Sequence, residues 1–213
     1  MGHIITIAQQ KGGAGKTTVT IQLAMALYAA GRSVALLDSD PQGSLATWFE
    51  FRQNNGLPCE RLSQRQAEGW RLSSEARQLA KDHDYVFIDT PPHAEKTAID
   101  AIKLSDIVLL PAQLSPMDIW AVNPTLNMAR GQSRDFYLVL NRVPPRGKMA
   151  EELRHALGAF DVPVFQSSLG NRQDFASSLI LGKGVIESAP RGRAAAEIKA
   201  LAKELEKEIK SRA

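Results

Sequence analysis

Hydrophobic and polar positions along this chain follow two rhythms. Short apolar runs bounded by turn-forming residues recur at 4–8, 33–37, 85–88, 106–110 and 136–140, and each reads as a buried strand. Between them, at 16–30, 70–81, 96–104, 117–130 and 149–157, apolar residues fall three and four apart, the spacing of a helix with one buried face. Strands that alternate with helices need crossover connections. The pattern therefore predicts an α/β fold, a mainly parallel twisted sheet with helices on both faces. Residues 52–69 break the rhythm: Asn54-Asn55-Gly56 marks a turn, and 57–62 is expected to form a short edge strand. Near the end, Ile198, Leu201, Leu205 and Ile209 share one stripe of 194–210, with Glu and Lys elsewhere, which predicts a helix packed on the body.

Composition adds limits to this picture. With 213 residues, 44% of them hydrophobic and 23% charged, the chain is ordinary for a globular protein. One domain over 1–213 is expected, without linker or internal repeat. A chain of this size buries most of its apolar surface without staples. Cys59 is the only cysteine, so no intrachain disulfide forms. The first residues run straight into a strand without a signal-peptide pattern, and no apolar run is long enough to span a bilayer, so a cytoplasmic protein is expected. The net charge of +3 falls short of a dedicated nucleic-acid coat, so the placement of cations matters more than their number.

Candidate chemistry gathers at strand ends. Between the first strand and first helix stands Lys11-Gly12-Gly13-Ala14-Gly15-Lys16-Thr17-Thr18. Its small residues let backbone N–H groups converge on phosphate oxygens. Lys16 adds a point charge for the β- and γ-phosphates, and the Thr17 hydroxyl suits Mg²⁺. The strict G-x-x-x-x-G-K-[ST] pattern asks for Gly at position 10; this chain has Gln10, then Lys11. The second strand ends in Asp38-Ser39-Asp40-Pro41-Gln42-Gly43, which puts two carboxylates at the sheet edge where open α/β sheets bind ligands. Another strand runs from Tyr85 into Asp89-Thr90-Pro91-Pro92, with Asp89 placed to hold Mg²⁺, although a strand-end Asp also serves as a turn former or helix cap. Asn141 ends a further strand, where an Asn-initiated turn accounts for it as well.

Together these segments resemble the ParA/MinD/Soj superfamily of deviant Walker A ATPases, whose signature is K-G-G-x-G-K-T-[ST]. The resemblance implies a P-loop NTPase fold, ATP and Mg²⁺ as cofactors, and slow hydrolysis of ATP to ADP and phosphate. It implies that Gly12, Gly13, Ala14, Gly15, Lys16, Thr17 and Thr18 hold the nucleotide, with Asn141 near the adenine. Thr17, Asp38 and Asp89 would form the metal shell and Asp40 would position the attacking water. Lys16 would act in cis, and Lys11 in trans across an ATP-dependent homodimer, in the way of an arginine finger. Taken alone, Lys11 is also compatible with a cis phosphate contact or a solvated loop residue.

The branches of the superfamily differ in ways the residues address. A single cysteine excludes the branch that bridges an iron–sulfur cluster between subunits. Residues 204–213 contain no Trp or Phe and mix acid with base, unlike a MinD-like membrane-entering tail, so no membrane partner is expected. Residues 170–179 and 182–187 resemble the C-terminal motif of small ParF-type ParA proteins, and no N-terminal helix-turn-helix extension is expected. That likeness implies nonspecific DNA binding by the dimer, through Arg172 first, with Lys183, Arg191 and Arg193. Arg142, Arg146 and Lys148 form a second basic cluster. It further implies a nucleoid-associated ATPase that moves a plasmid, chromosome or protein assembly, stimulated by a ParB/ParG-like or cargo-adaptor protein. A MinD-like membrane switch and a dethiobiotin synthetase-like small-molecule enzyme are the alternatives.

Overall fold

A computed structural model of the chain describes residues 1–144, 157 and 162–211. Six strands, β1 (His3–Ile7), β2 (Val34–Asp38), β3 (Leu62–Gln66), β4 (Tyr85–Asp89), β5 (Ile107–Ala112) and β6 (Asp135–Leu140), form one parallel sheet in the order β3-β2-β4-β1-β5-β6. The helices are α1 (Lys16–Ala29), α2 (Ser44–Asn54), α3 (Arg71–Asp82), α4 (Glu95–Leu104), α5 (Pro116–Trp120), α6 (Asn123–Gly131), α7 (Gln173–Ile180), α8 (Val185–Ser188) and α9 (Arg193–Lys210).

The period of two along each strand divides the core. Ile5, Ile7, Leu36, Phe87 and Leu109 point into a cluster with α1 and α9, whereas Ile4, Leu37, Val86 and Ile88 join the cluster under α3 and α4. Both faces are thus covered, and the inner strands read as continuous apolar runs because every position is buried. Each fully buried Leu, Ile or Phe contributes roughly 1.5–3 kcal/mol. Helix α1 lies between the sheet and α7, α8 and α9, so Val19 through Leu27 are buried without a break. Within that dry layer Gln22 is fully bonded: its amide donates to the Phe175 carbonyl (3.1 Å) and Ser178 Oγ (2.8 Å), and its oxygen accepts the Val185 N–H (2.8 Å).

Some elements depart from expectation. Helix α2 was absent from the periodic pattern, and its buried face is Leu45, Trp48, Phe49 and Arg52. Arg52 is fully buried, and its five N–H donors are all used: two on the Pro58 carbonyl (3.1 and 2.7 Å), one on the Gly182 carbonyl (3.1 Å) and two on Glu187 (both 3.0 Å). A Cβ on Gly182 would lie 2.5 Å from the Arg52 backbone nitrogen, so the two segments approach this closely only at glycine. The edge strand forms at 62–66 rather than 57–62, because backbone pairing to β2 in the register Leu36↔Gln64 sets its position. The helix expected over 117–130 is two helices. Pro124 has no N–H to continue a helix from Trp120 and sits in the first turn of α6 instead. The helix expected over 149–157 lies outside the described residues except for Leu157, which is helical.

Candidate functional site

The functional side chains meet at the C-terminal edge of the sheet, where β1, β2, β4, β5 and β6 end. The loop from β1 to α1 turns at Gly13 (φ 76°) and Gly15 (φ 92°), conformations that favour glycine. At Gly15 the requirement is also steric, since a Cβ there would lie 2.3 Å from Asn141 Nδ2. Asn141 is buried at the end of β6, and its amide donates to the Ala14 carbonyl at 2.9 Å. It therefore braces the loop from 127 residues away in sequence. The front of the loop is held by α6: the Gln10 N–H donates to Thr125 Oγ1 (3.2 Å), whose hydroxyl donates to Gln9 Oε1 (3.2 Å).

A cleft of about 250 Å³ opens against this loop, bordered by Gly12, Gly13, Gly15, Lys16, Thr17 and Thr18, and on the other side by Asp40, Pro92 and Arg142. Lys16 is buried beside it; burial pulls its ammonium below the ordinary lysine range, and the charges of Asp89 and Asp40 oppose that shift. Thr17 Oγ1 donates to Asp89 Oδ2 at 2.5 Å. Asp38 pairs with Asp89 in the β2–β4 register, which brings two buried carboxylates together. Burial pushes Asp89 up to about 7; the Thr17 hydrogen bond opposes this and the neighbouring Asp38 charge adds to it.

The two aspartates are nevertheless differently engaged. Asp38 Oδ1 accepts the Asp40 N–H (3.0 Å), and Oδ2 accepts those of Leu45 and Ala46 (3.2 and 3.3 Å), so its carboxylate anchors the first turn of α2. Its pKa is raised by burial, with those N–H bonds in opposition. Asp89 instead faces Thr17 and the loop. Asp40 stands on the cleft rim and accepts the Gln42 N–H (3.0 Å). Among the described residues no group of three or more His, Cys, Asp or Glu is arranged to hold a metal by itself. Thr17 and Asp89 fit a hard cation that takes its other oxygens from a nucleotide and water.

Lys11 turns away from its own loop's cleft. Its ammonium pairs with Asp118 Oδ1 at 2.6 Å, and Ser115 Oγ donates to the other oxygen of that carboxylate. This pairing is not visible in local sequence, since Asp118 lies 107 positions after Lys11.

The four DNA candidates are dispersed. Arg172 is committed to Glu197, with Nε at 3.0 Å from both carboxylate oxygens and Nη2 at 2.5 Å from one. Arg172 and Arg193 border one cleft of about 830 Å³ with Val143, Gly170 and Glu197, larger than the one at the phosphate loop. Arg191 is exposed, and Lys183 is half-buried in the turn between α7 and α8. Arg146 and Lys148 lie outside the described residues. Arg142 borders the phosphate-loop cleft. His93, which no sequence motif marks, adopts φ 55° after β4 and sends Nε2 to 3.9 Å from where a Gly12 Cβ would stand. Among the described residues no helix is long and apolar enough to cross a membrane.

Residues 5–185 match the family model described as the CobQ/CobB/MinD/ParA nucleotide binding domain. The chain is 28% identical to the Maintenance of carboxysome distribution protein A of Halothiobacillus neapolitanus, covering 91% of each chain. It is 30% identical to the protein of the same name from Gloeobacter kilaueensis, over 93% of this chain and 89% of that one. Among solved structures, Cyanothece McdA in complex with ATP superposes with a TM-score of 0.78 at 18% identity, over 96% of this chain and 95% of that one. The cell division ATPase MinD of Pyrococcus furiosus gives 0.78 at 22% identity, over 97% and 99%.

Proposed function

Because the chain belongs to the family of CobQ/CobB/MinD/ParA nucleotide-binding domains, we propose that it is an ATP-hydrolysing switch that positions a cargo while cycling on and off nonspecific DNA. The observation that carries this reading is the division of labour between two lysines. Lys16 is buried in the cleft among the groups suited to phosphate and cation, whereas Lys11 reaches out to Asp118. A cation held outside the cleft of its own copy is placed to complete the charge set of a second one.

In this reading the glycine N–H groups and Lys16 hold the polyphosphate, and Thr17 with Asp89 holds Mg²⁺, which would neutralise charge between the phosphates. Asp40, on the cleft rim, orients the attacking water, and Asp38 keeps α2 and the Asp40 turn in register with the sheet. Lys11 leaves Asp118 when a second protomer arrives and adds charge stabilisation at the transferring phosphoryl group. DNA contact falls to Arg193 and Arg191 and, once Glu197 yields it, to Arg172. Two identical patches in a dimer sum their phosphate contacts.

Two relatives that match over nine tenths of this chain carry the name of carboxysome distribution, which favours a protein assembly as the cargo. An adaptor protein on that assembly would stimulate hydrolysis. The test compares DNA retention with ATP, ADP and no nucleotide, beside Mg²⁺-dependent ATP turnover. The expected result is retention with ATP alone and slow basal turnover that rises with the adaptor. Equal retention in all three states would end the switch reading. Turnover driven by a small metabolite, and not by DNA or protein, would move the chain to the small-molecule enzymes.

A further inference from the structure

Among the described residues, three that are not glycine adopt positive φ: His93 (55°), Ser133 (50°) and Arg142 (51°). A side chain in this region is strained and persists only where its surroundings hold it there. Ser133 lies in the tight turn that leads from α6 to β6, where such a conformation is unremarkable. Arg142 is different, because the groups that strain it also aim it.

The Asn141 backbone N–H donates to the Ala112 carbonyl (2.8 Å), its side-chain amide to the Ala14 carbonyl (2.9 Å), and its side-chain oxygen accepts the Arg142 N–H (2.9 Å). The chain thus leaves β6 with its direction set by Asn141, and Arg142 is folded back over the phosphate loop. Its guanidinium Nη1 donates to the Gly13 carbonyl at 3.3 Å. That oxygen is already shared, since Gln113 Nε2 donates to it at 3.3 Å as well. Among the described residues this is the only hydrogen bond of the guanidinium, and it makes no ion pair. It contrasts with Arg52 and Arg172, whose guanidinium groups are each paired with a carboxylate.

An exposed guanidinium that keeps four donors unused, on the rim of a cleft with Lys16 at its base, suits a multiply charged anion with several acceptor oxygens. We propose that Arg142 is a nucleotide-phosphate ligand that rests on the Gly13 carbonyl and transfers its donors to phosphate oxygens when nucleotide enters. The strain at Arg142 is the cost of placing a cation there from β6. This inference rests on the ATPase reading above and assigns to nucleotide a residue that its sequence neighbourhood groups with DNA-facing cations.

The experiment uses the full chain with three substitutions: Arg142→Ala, Arg142→Lys and Arg142→Gly. Dissociation constants for ATP and ADP with Mg²⁺ are measured with a fluorescent nucleotide and its displacement, beside thermal unfolding and DNA binding at saturating ATP. Loss of the guanidinium in the Ala and Gly variants is expected to weaken nucleotide about tenfold or more, as for one or two charge-assisted hydrogen bonds. Lys is expected to recover part of the loss. The Gly variant, relieved of strain, is expected to unfold no earlier than wild type, and DNA binding at saturating ATP is expected to hold. Unchanged nucleotide affinity in all three variants would overturn the proposal. So would wild-type affinity in the Gly variant alone, since backbone geometry would then account for the Ala effect. Lost DNA binding with unchanged nucleotide affinity would return Arg142 to the DNA-facing group. A wild-type chain that binds no nucleotide would instead defeat the ATPase reading itself.

Discussion

Asp89→Asn tests whether the site stores an unfavourable charge when metal is absent. In the folded chain Asp89 is pushed from 3.8 up to about 7, chiefly by burial, so between those values the folded state holds a proton that the unfolded state has released. Stability from this group is full below the unfolded value and is lost as pH rises through the folded one. At about 1.4 kcal/mol per unit, a rise from pH 5.5 to 8 removes about 2 kcal/mol from the metal-free wild type. The asparagine keeps an oxygen for the Thr17 hydroxyl but carries no proton equilibrium, so its contribution is flat. Urea midpoints in EDTA at several pH values give the two stability curves, and their difference reports Asp89 together with its coupling to Asp38. The wild type is expected to lose about 2 kcal/mol relative to the variant across that range. Mg²⁺ with nucleotide is expected to abolish the slope, because the cation holds the carboxylate ionised. A difference that stays constant with pH in EDTA would refute the assignment of a protonated, buried Asp89.

Three further outcomes follow from the geometry. Asp118→Ala frees Lys11 from a pair whose side chains are 38% and 10% exposed; a half-exposed pair is worth about 1 kcal/mol, so ATP-dependent self-association is expected to tighten up to about fivefold in sedimentation, and weaker association would count against the trans role. Gly15→Ala puts a methyl 2.3 Å from Asn141 Nδ2 at φ 92°; nucleotide binding by calorimetry is expected to vanish, and retained affinity would show that the loop tolerates a side chain. Glu187→Ala leaves the buried Arg52 guanidinium without its carboxylate, which is expected to lower the unfolding free energy by about 3–5 kcal/mol in urea, and a change below about 1 kcal/mol would show that water replaces it.

The central strands were legible because burial on both faces writes an unbroken apolar run. Strand β3 and helix α2 were not. Strand β3 pairs through its backbone while carrying Ser63, Gln64, Arg65 and Gln66, so its side chains give no period. Helix α2 was hidden by Arg52, a charge at a position where the helical stripe calls for an apolar residue. At the site, the demand for small residues is local and so visible in Gly12, Gly13 and Gly15. The pairing of Lys11 with Asp118 and the brace from Asn141 to Ala14 join segments more than 100 residues apart, and only folding brings them together. Arg142 was grouped by its neighbours in sequence, since nothing in the letters of the β6 turn announces a positive φ.

Helix α2 begins on the Asp38 carboxylate and ends in the Arg52 clasp to Glu187 and Gly182. Its eleven residues make a rod roughly 16 Å long at about 1.5 Å per residue. A rod fastened at one end swings, but one fastened at both ends carries force. Any displacement of the β2 turn, where Asp40 faces the cleft, must push on the turn between α7 and α8, because the span between them has no slack in which to lose it.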